Sequence, residues 1–103
     1  MTDTKRISAR QAREIMQKYP NVIILDVRTK REYDNGHIPG AVLISDFEIE
    51  NKAKKILHDC NALILVYCQS GARSRTATNM LVKMGYTKVY DFGGINTWPY
   101  ECE

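Results

Sequence analysis

Cysteine is scarce in this chain of 103 residues: Cys60, Cys68 and Cys102 are the only three, and no two stand at C-x-x-C spacing. So odd and sparse a set excludes the disulfide framework of small secreted domains and fits a reducing compartment, where a thiol serves reactivity rather than cross-linking. Long hydrophobic runs are missing too. The longest, "ALILVYC" (Ala62–Cys68), falls far short of a bilayer span. The opening "MTDTKRISAR" has neither an apolar core nor a cleavage-like site, so no secretory leader is expected and the reading is cytoplasmic, with no membrane partner. No repeat, low-complexity tract or linker breaks the chain, which makes residues 1–103 one domain around one core. At 44% hydrophobic and 26% charged residues, intrinsic disorder is excluded. Neither sign of charge dominates. The net charge of +3, with bases interleaved among acids, gives no ground for nucleic acid but is compatible with a small anionic substrate.

What is present alternates between two periods. "VIILDV" (Val22–Val27) and "ALILVY" (Ala62–Tyr67) are nearly continuous apolar runs, as expected of strands covered on both faces. "AVLI" (Ala41–Ile44) and "KVYDF" (Lys88–Phe92) are shorter companions, and "KRI" near the start reads as an edge strand. Ser8 with Gln11, Thr29 with Glu32, and Ser45 with Glu48 each have capping-box spacing. Helical faces follow: Ala12, Ile15, Met16 and Tyr19; Ile49, Ala53, Ile56 and Leu57; Ala77, Met80, Leu81 and Met84, ended by Gly85. Alternating strands and helices predict an α/β domain with a mainly parallel sheet, and sites in such sheets form at the carboxyl ends of strands.

Cys68 and Arg28 both sit just past such ends. In "VYCQSGARS" (Val66–Ser74) a strand stops at the thiol, and a helix is expected near Ser74, leaving Gln69–Arg73 as a tight turn. Gly71 permits backbone angles that other residues resist, and Ser70 and Ala72 are small enough for close approach. Successive N–H groups in such a turn can converge on an anion at a helix N-terminus, which favours a thiolate over a thiol. The charges agree: no Asp or Glu occurs from Cys60 to Tyr90, while Arg73 and Arg75 lie in or beside the turn. The alternative is a cysteine that merely fills space at a strand end.

Three segments together resemble the rhodanese family of sulfurtransferases, specifically its single-domain members. They are "ILDVRTKREYDNGHIPGAVLI" (Ile24–Ile44), the loop "VYCQSGARS", and "GGINTWP" (Gly93–Pro99). The resemblance implies a rhodanese-like three-layer sandwich with about five mainly parallel strands flanked by helices. It also implies a sulfurtransferase that moves sulfane sulfur from a small anionic donor such as thiosulfate to a thiol or cyanide acceptor, a protein thiol included, through a Cys68 persulfide, with no metal or other cofactor. Backbone N–H groups of Gln69, Ser70, Gly71, Ala72, Arg73 and Ser74 would hold the persulfide, and Arg73 the donor's oxygens. A persulfide carrier serving a protein acceptor is the alternative; a domain without chemistry is opposed by the intact Cys68 and Arg73.

Cysteine phosphatases place five residues between cysteine and arginine. Here four separate Cys68 from Arg73, a loop suited to one sulfur atom rather than a phosphoryl group, and no well-placed aspartate offers a general acid. Asp26 reads as support for the loop in an ion pair. Arg28 could share that pair or bind donor, and Arg75 could assist from the rim or face solvent. His37 could serve Cys68 as a general base but, followed by Pro39 and Gly40, reads rather as fixing a turn. Gly93 and Gly94 could approach the active site but read first as marking a turn, Trp98 is a core or lid aromatic, "NKAKK" is a solvated helix face and Cys60 is inert. Cys102 sits in a tail expected to be mobile, as a bystander or a resolving thiol.

Overall fold

The apolar runs become strands, and helices fill the segments between them. In the computed structural model, which describes residues 5–103, the order is α1 (Ala9–Lys18), β1 (Ile23–Asp26), α2 (Lys30–Asp34), β2 (Val42–Leu43), α3 (Ile49–Ile56), β3 (Leu63–Cys68), α4 (Ala72–Lys83) and β4 (Lys88–Gly94). Met1–Thr4, the first residues of the stretch read as leader-free, lie outside the described residues. Short 3₁₀ turns occupy Asp46–Glu48 and Ile95–Thr97.

Local chemistry explains most of the boundaries. Ser8 and Thr29 accept the N–H of Gln11 and Glu32, whose side chains in turn accept the cap's own N–H, so α1 and α2 start with reciprocal capping boxes. The third expected box, Ser45 with Glu48, does not form. Glu48 N–H donates instead to the Ser45 carbonyl oxygen at 2.8 Å, closing a 3₁₀ turn, while Asp46 N–H donates to Val27 O at 2.9 Å and ties that turn to the end of β1. At the other end of α4, Gly85 takes φ +103° and Tyr86 N–H donates to Leu81 O at 3.1 Å. The predicted faces are buried at Ala12, Ile49, Ala53, Leu57, Ala77 and Leu81. Tyr19 and Ile56 are exposed, because α1 has passed into an extended cap at Tyr19 and Leu57 takes the inward position at the end of α3.

Among the described residues the sheet has four parallel strands in the order β2-β1-β3-β4, not about five. "KRI" contributes one isolated bridge, Arg6 to Asp91, held by Ile7 N–H to Asp91 O at 2.9 Å and Asp91 N–H to Lys5 O at 2.7 Å. Ser8 then caps α1, so the chain leaves the sheet before a strand can extend.

Alternation along β3 builds two cores. Leu65 and Tyr67 face Ala12 of α1, with Tyr33 of α2, Phe92 and Trp98 on the same side; Ile64, Val66 and Cys68 face α3 and α4. The result is a three-layer sandwich with Cys68 on the α4 side. β1 lies between β2 and β3, so the strand order reverses there, and the carboxyl ends of β1 and β3 flank the crevice in which open α/β sheets place ligands. Among the described residues no helix is long and apolar enough to cross a membrane.

Candidate active site

Cys68 is the last residue of β3, opposite Gly94 of β4, at a shift in register. Its side chain is only 1% exposed. Gly71 adopts φ +107°, which reverses the chain and aims its N–H at Cys68 Sγ, 3.0 Å away. The helix follows at once. α4 begins at Ala72, two residues before the expected Ser74, so Arg73 and Ser74 belong to its first turn rather than to the loop. N–H groups in a first turn have no intrahelical acceptor, and no side chain caps α4, in contrast to α1 and α2. Gln69, Ser70 and Ala72 are exposed around the buried sulfur. Asn96 N–H donates to Gln69 O at 3.2 Å, anchoring the loop to the turn after β4.

Three carboxylate–arginine pairs surround this loop. Asp26, fully buried, accepts Arg28 Nη2 at 2.8 Å and the Tyr67 hydroxyl at 2.7 Å; Arg28, 3% exposed, also donates to Gln69 Oε1 at 3.2 Å and Gly36 O at 2.7 Å. Burial works against the Arg28 charge, yet bonding and attraction to Asp26 raise its pKa above the ordinary value. Burial, aided by Asp26, raises the Tyr67 pKa and keeps its hydroxyl a donor. Glu32 takes Arg73 in a fork, at 2.8 and 2.9 Å, and this pairing lowers its pKa to about 2. Asp91, 2% exposed, accepts Arg6 at 3.0 Å, Gly93 N–H at 2.8 Å and the Ser74 hydroxyl at 2.7 Å. Ser74 Oγ in turn lies 3.4 Å from Cys68 Sγ.

Some of these placements depart from expectation and others fall within it. Arg73, assigned to the donor's oxygens, has both terminal nitrogens on Glu32, and its pKa is raised chiefly by that bond. The carboxylate-free surround holds only along the chain: Asp91, one residue beyond the acid-free stretch, reaches Cys68 through Ser74. Arg28 lies in the ion pair with Asp26, and Arg75 is exposed. His37 accompanies a turn, with Nδ1 2.9 Å from Tyr33 O and its ring stacked on Tyr33 at 3.8 Å. The tail is tied down, since His37 and Glu103 exchange both backbone bonds at 2.8 Å. That tether leaves Cys102 exposed in a cleft of about 390 Å³ lined also by Arg28, Glu32, Gln69 and Ile95. Arg6, Asp91 and the Tyr67 hydroxyl went unread as site groups. Asp91 carried a usable signal, an acid two residues before a glycine pair within an apolar run, whereas Arg6 carried none.

Comparison with known proteins agrees with this geometry. GlpE of Coxiella burnetii (strain RSA 331 / Henzerling II), named a thiosulfate sulfurtransferase, is 34% identical over 95 residues, 91% of this chain and 86% of that protein. A solved rhodanese with anions from E. coli superposes with a TM-score of 0.74 at 30% identity, covering 80% of this chain and 96% of the other. A rhodanese-related protein from Thermoplasma volcanium gives a TM-score of 0.83 at 27% identity, over 97% of this chain and 98% of its own. The Rhodanese-like domain family matches residues 8–100, and with that span, these relatives and the parallel sheet in agreement, the chain belongs to the rhodanese-like domain family.

Proposed function

We propose that the protein is a sulfurtransferase in which Cys68 takes sulfane sulfur from a small anionic donor such as thiosulfate, carries it as a persulfide, and yields it to a thiol or cyanide. One observation carries the reading. A sulfur at the end of a central strand receives the Gly71 N–H at 3.0 Å and faces a helix N-terminus that no side chain caps. Such an environment favours negative sulfur through the N–H donors and the positive end of the helix dipole. The Cys68 thiolate attacks the donor's outer sulfur, sulfite leaves with the electron pair of the broken S–S bond, and the covalent intermediate divides the transfer into two steps. With Arg73 held by Glu32, the donor's oxygens are left to the exposed loop rim and the first amides of α4, and Arg73 contributes a fixed positive charge. Asp26 and Arg28 act indirectly, holding Gln69 next to the nucleophile. Burial of Cys68 suits delivery of a single sulfur atom and disfavours bulky electrophiles.

Steady-state kinetics with a panel of donors and acceptors tests this. The wild type is expected to show double-displacement behaviour, and Cys68→Ser to lose roughly a thousandfold or more of kcat/KM. Turnover retained by Cys68→Ser contradicts the proposal. Slow turnover with cyanide together with rapid sulfur delivery to a protein thiol assigns the persulfide to carriage instead.

A further inference from the structure

Behind Cys68 lies a hydroxyl that sulfur transfer leaves without a task. Ser74 is fully buried; its Oγ is 3.4 Å from Cys68 Sγ, from which it accepts the thiol hydrogen, and 2.7 Å from Asp91 Oδ1, to which it donates its own. A serine hydroxyl has one hydrogen and two lone pairs, so while it serves Asp91 it can only accept from sulfur. That arrangement suits a thiol. A thiolate has no hydrogen to give and would face the lone pairs of Ser74 without compensation. The hydroxyl has room to choose, since Gly71 O at 3.2 Å and Gly93 O at 3.4 Å are also within its reach. Asp91 competes for it from a fixed position, because Gly93 N–H holds Oδ1 at 2.8 Å and Arg6 holds Oδ2 at 3.0 Å.

Building on the sulfur-transfer reading, we infer that Ser74 reverses its hydrogen-bond role with Cys68 during each transfer, and that Asp91, clamped by Arg6, is the positioning residue that sets which role it takes. At rest Ser74 accepts from the thiol; release of that proton to solvent gives the thiolate that takes up the donor's sulfur, and a proton from solvent restores the thiol after delivery. During delivery an acceptor thiolate bonds to the outer sulfur of the persulfide, the bond from that sulfur to Sγ breaks, and its electron pair stays on Sγ, which leaves as thiolate. Sulfur and electrons balance within the pair, so no outside oxidant or reductant is needed. The charge arriving on Sγ meets the Gly71 N–H and, once Ser74 turns from Asp91, a second donor in a water-poor site. Of the other charged groups around this sulfur, Arg73 is paired with Glu32 and Asp26 with Arg28 at the end of β1, while Asp46 acts on Arg73 through charge alone. Asp91 with Arg6 is the one of these pairs joined to Sγ through a hydroxyl.

Three variants of the full chain test the inference: Ser74→Ala, Asp91→Asn and Arg6→Gln. Two readouts are used, the iodoacetamide reaction of Cys68 followed by peptide mapping across the neutral pH range, and discharge of a preformed Cys68 persulfide to a small thiol. Ser74→Ala is expected to slow discharge about tenfold and move the alkylation profile toward alkali, as loss of one hydrogen bond to a charged group predicts. Asp91→Asn removes the competing carboxylate and moves the profile toward acid. Arg6→Gln, at a side chain 53% exposed that also donates to Gly71 O at 3.3 Å, leaves Asp91 free to hold Ser74 more firmly and moves the profile toward alkali. Coincident profiles for Arg6→Gln and wild type, or unchanged discharge by a folded Ser74→Ala, overturn the inference. Alkylation needs only the thiol. A protein that never forms a persulfide therefore refutes the sulfur-transfer reading, whereas coincident profiles in a protein that does form one refute the Ser74 switch alone.

Discussion

At Glu32 one carboxylate joins two distant parts of the chain: Oε1 accepts the Thr29 N–H at 2.9 Å, and both oxygens take Arg73 from α4. The Arg73 bond, ahead of the Thr29 bonds, lowers the pKa to about 2 from an ordinary 4.5. A depressed folded-state value means that this stabilisation is complete above about pH 4.5 and disappears as pH falls through about 2. Denaturant unfolding of wild type and Glu32→Gln at several pH values should therefore show a gap in stability at neutral pH that closes over that interval. A gap independent of pH contradicts the assignment. Glu32 also shows what was legible residue by residue. Its capping role needed a serine or threonine three residues earlier and could be read locally, while its bond to Arg73 spans 41 residues and could not. Cys68 was legible for the same local reason, a thiol closing an apolar run before a glycine. Asp91 and Arg6 reach it only through the folded sheet.

Between elements, the decisive contact is the one that lets β4 lie beside the loop. Gly94 pairs with Cys68, and a Cβ there would collide with the Gln69 carbonyl oxygen, stand 2.5 Å from Asn96 Oδ1 and 2.7 Å from the Gln69 carbonyl carbon. Gly94→Ala is expected to cost about 1–3 kcal/mol in denaturant unfolding, as overpacking does, and to slow loading of Cys68 because Gln69 must move. Wild-type stability and loading in that variant would show that the loop does not depend on this approach. At this scale the sequence was informative where a single chemistry decides. Two capping boxes and the glycine stop of α4 formed as read, because each satisfies donors or acceptors within a few residues. Ser45–Glu48 had the same letters, but its backbone was already committed to β1 through Asp46, and a 3₁₀ turn resulted. The start of α4 moved to Ala72 because the left-handed turn needs one residue, Gly71, and leaves Ser74 inside the helix.

Across the whole molecule, the parallel sheet follows from runs buried on both faces and was readable from hydrophobic period alone. The single core expected divides into two, because the sheet carries helices on both faces and separates their apolar sides. The strand count was not readable, since an edge strand and a single bridge differ only in when the chain must leave to begin the next helix. The site inherits its position from topology. Strand order reverses beside β1, the carboxyl ends of β1 and β3 come together, and Arg28 reaches from one end to Gln69 at the other. Arginine–carboxylate pairs then hold the charges that this convergence brings together around the sulfur. Intact-mass measurement of the reduced protein after incubation with thiosulfate addresses that sulfur directly. The account predicts a gain of one sulfur atom, mapped to Cys68, removed by a thiol and absent from Cys68→Ser. No gain, or an equal gain in Cys68→Ser, contradicts it.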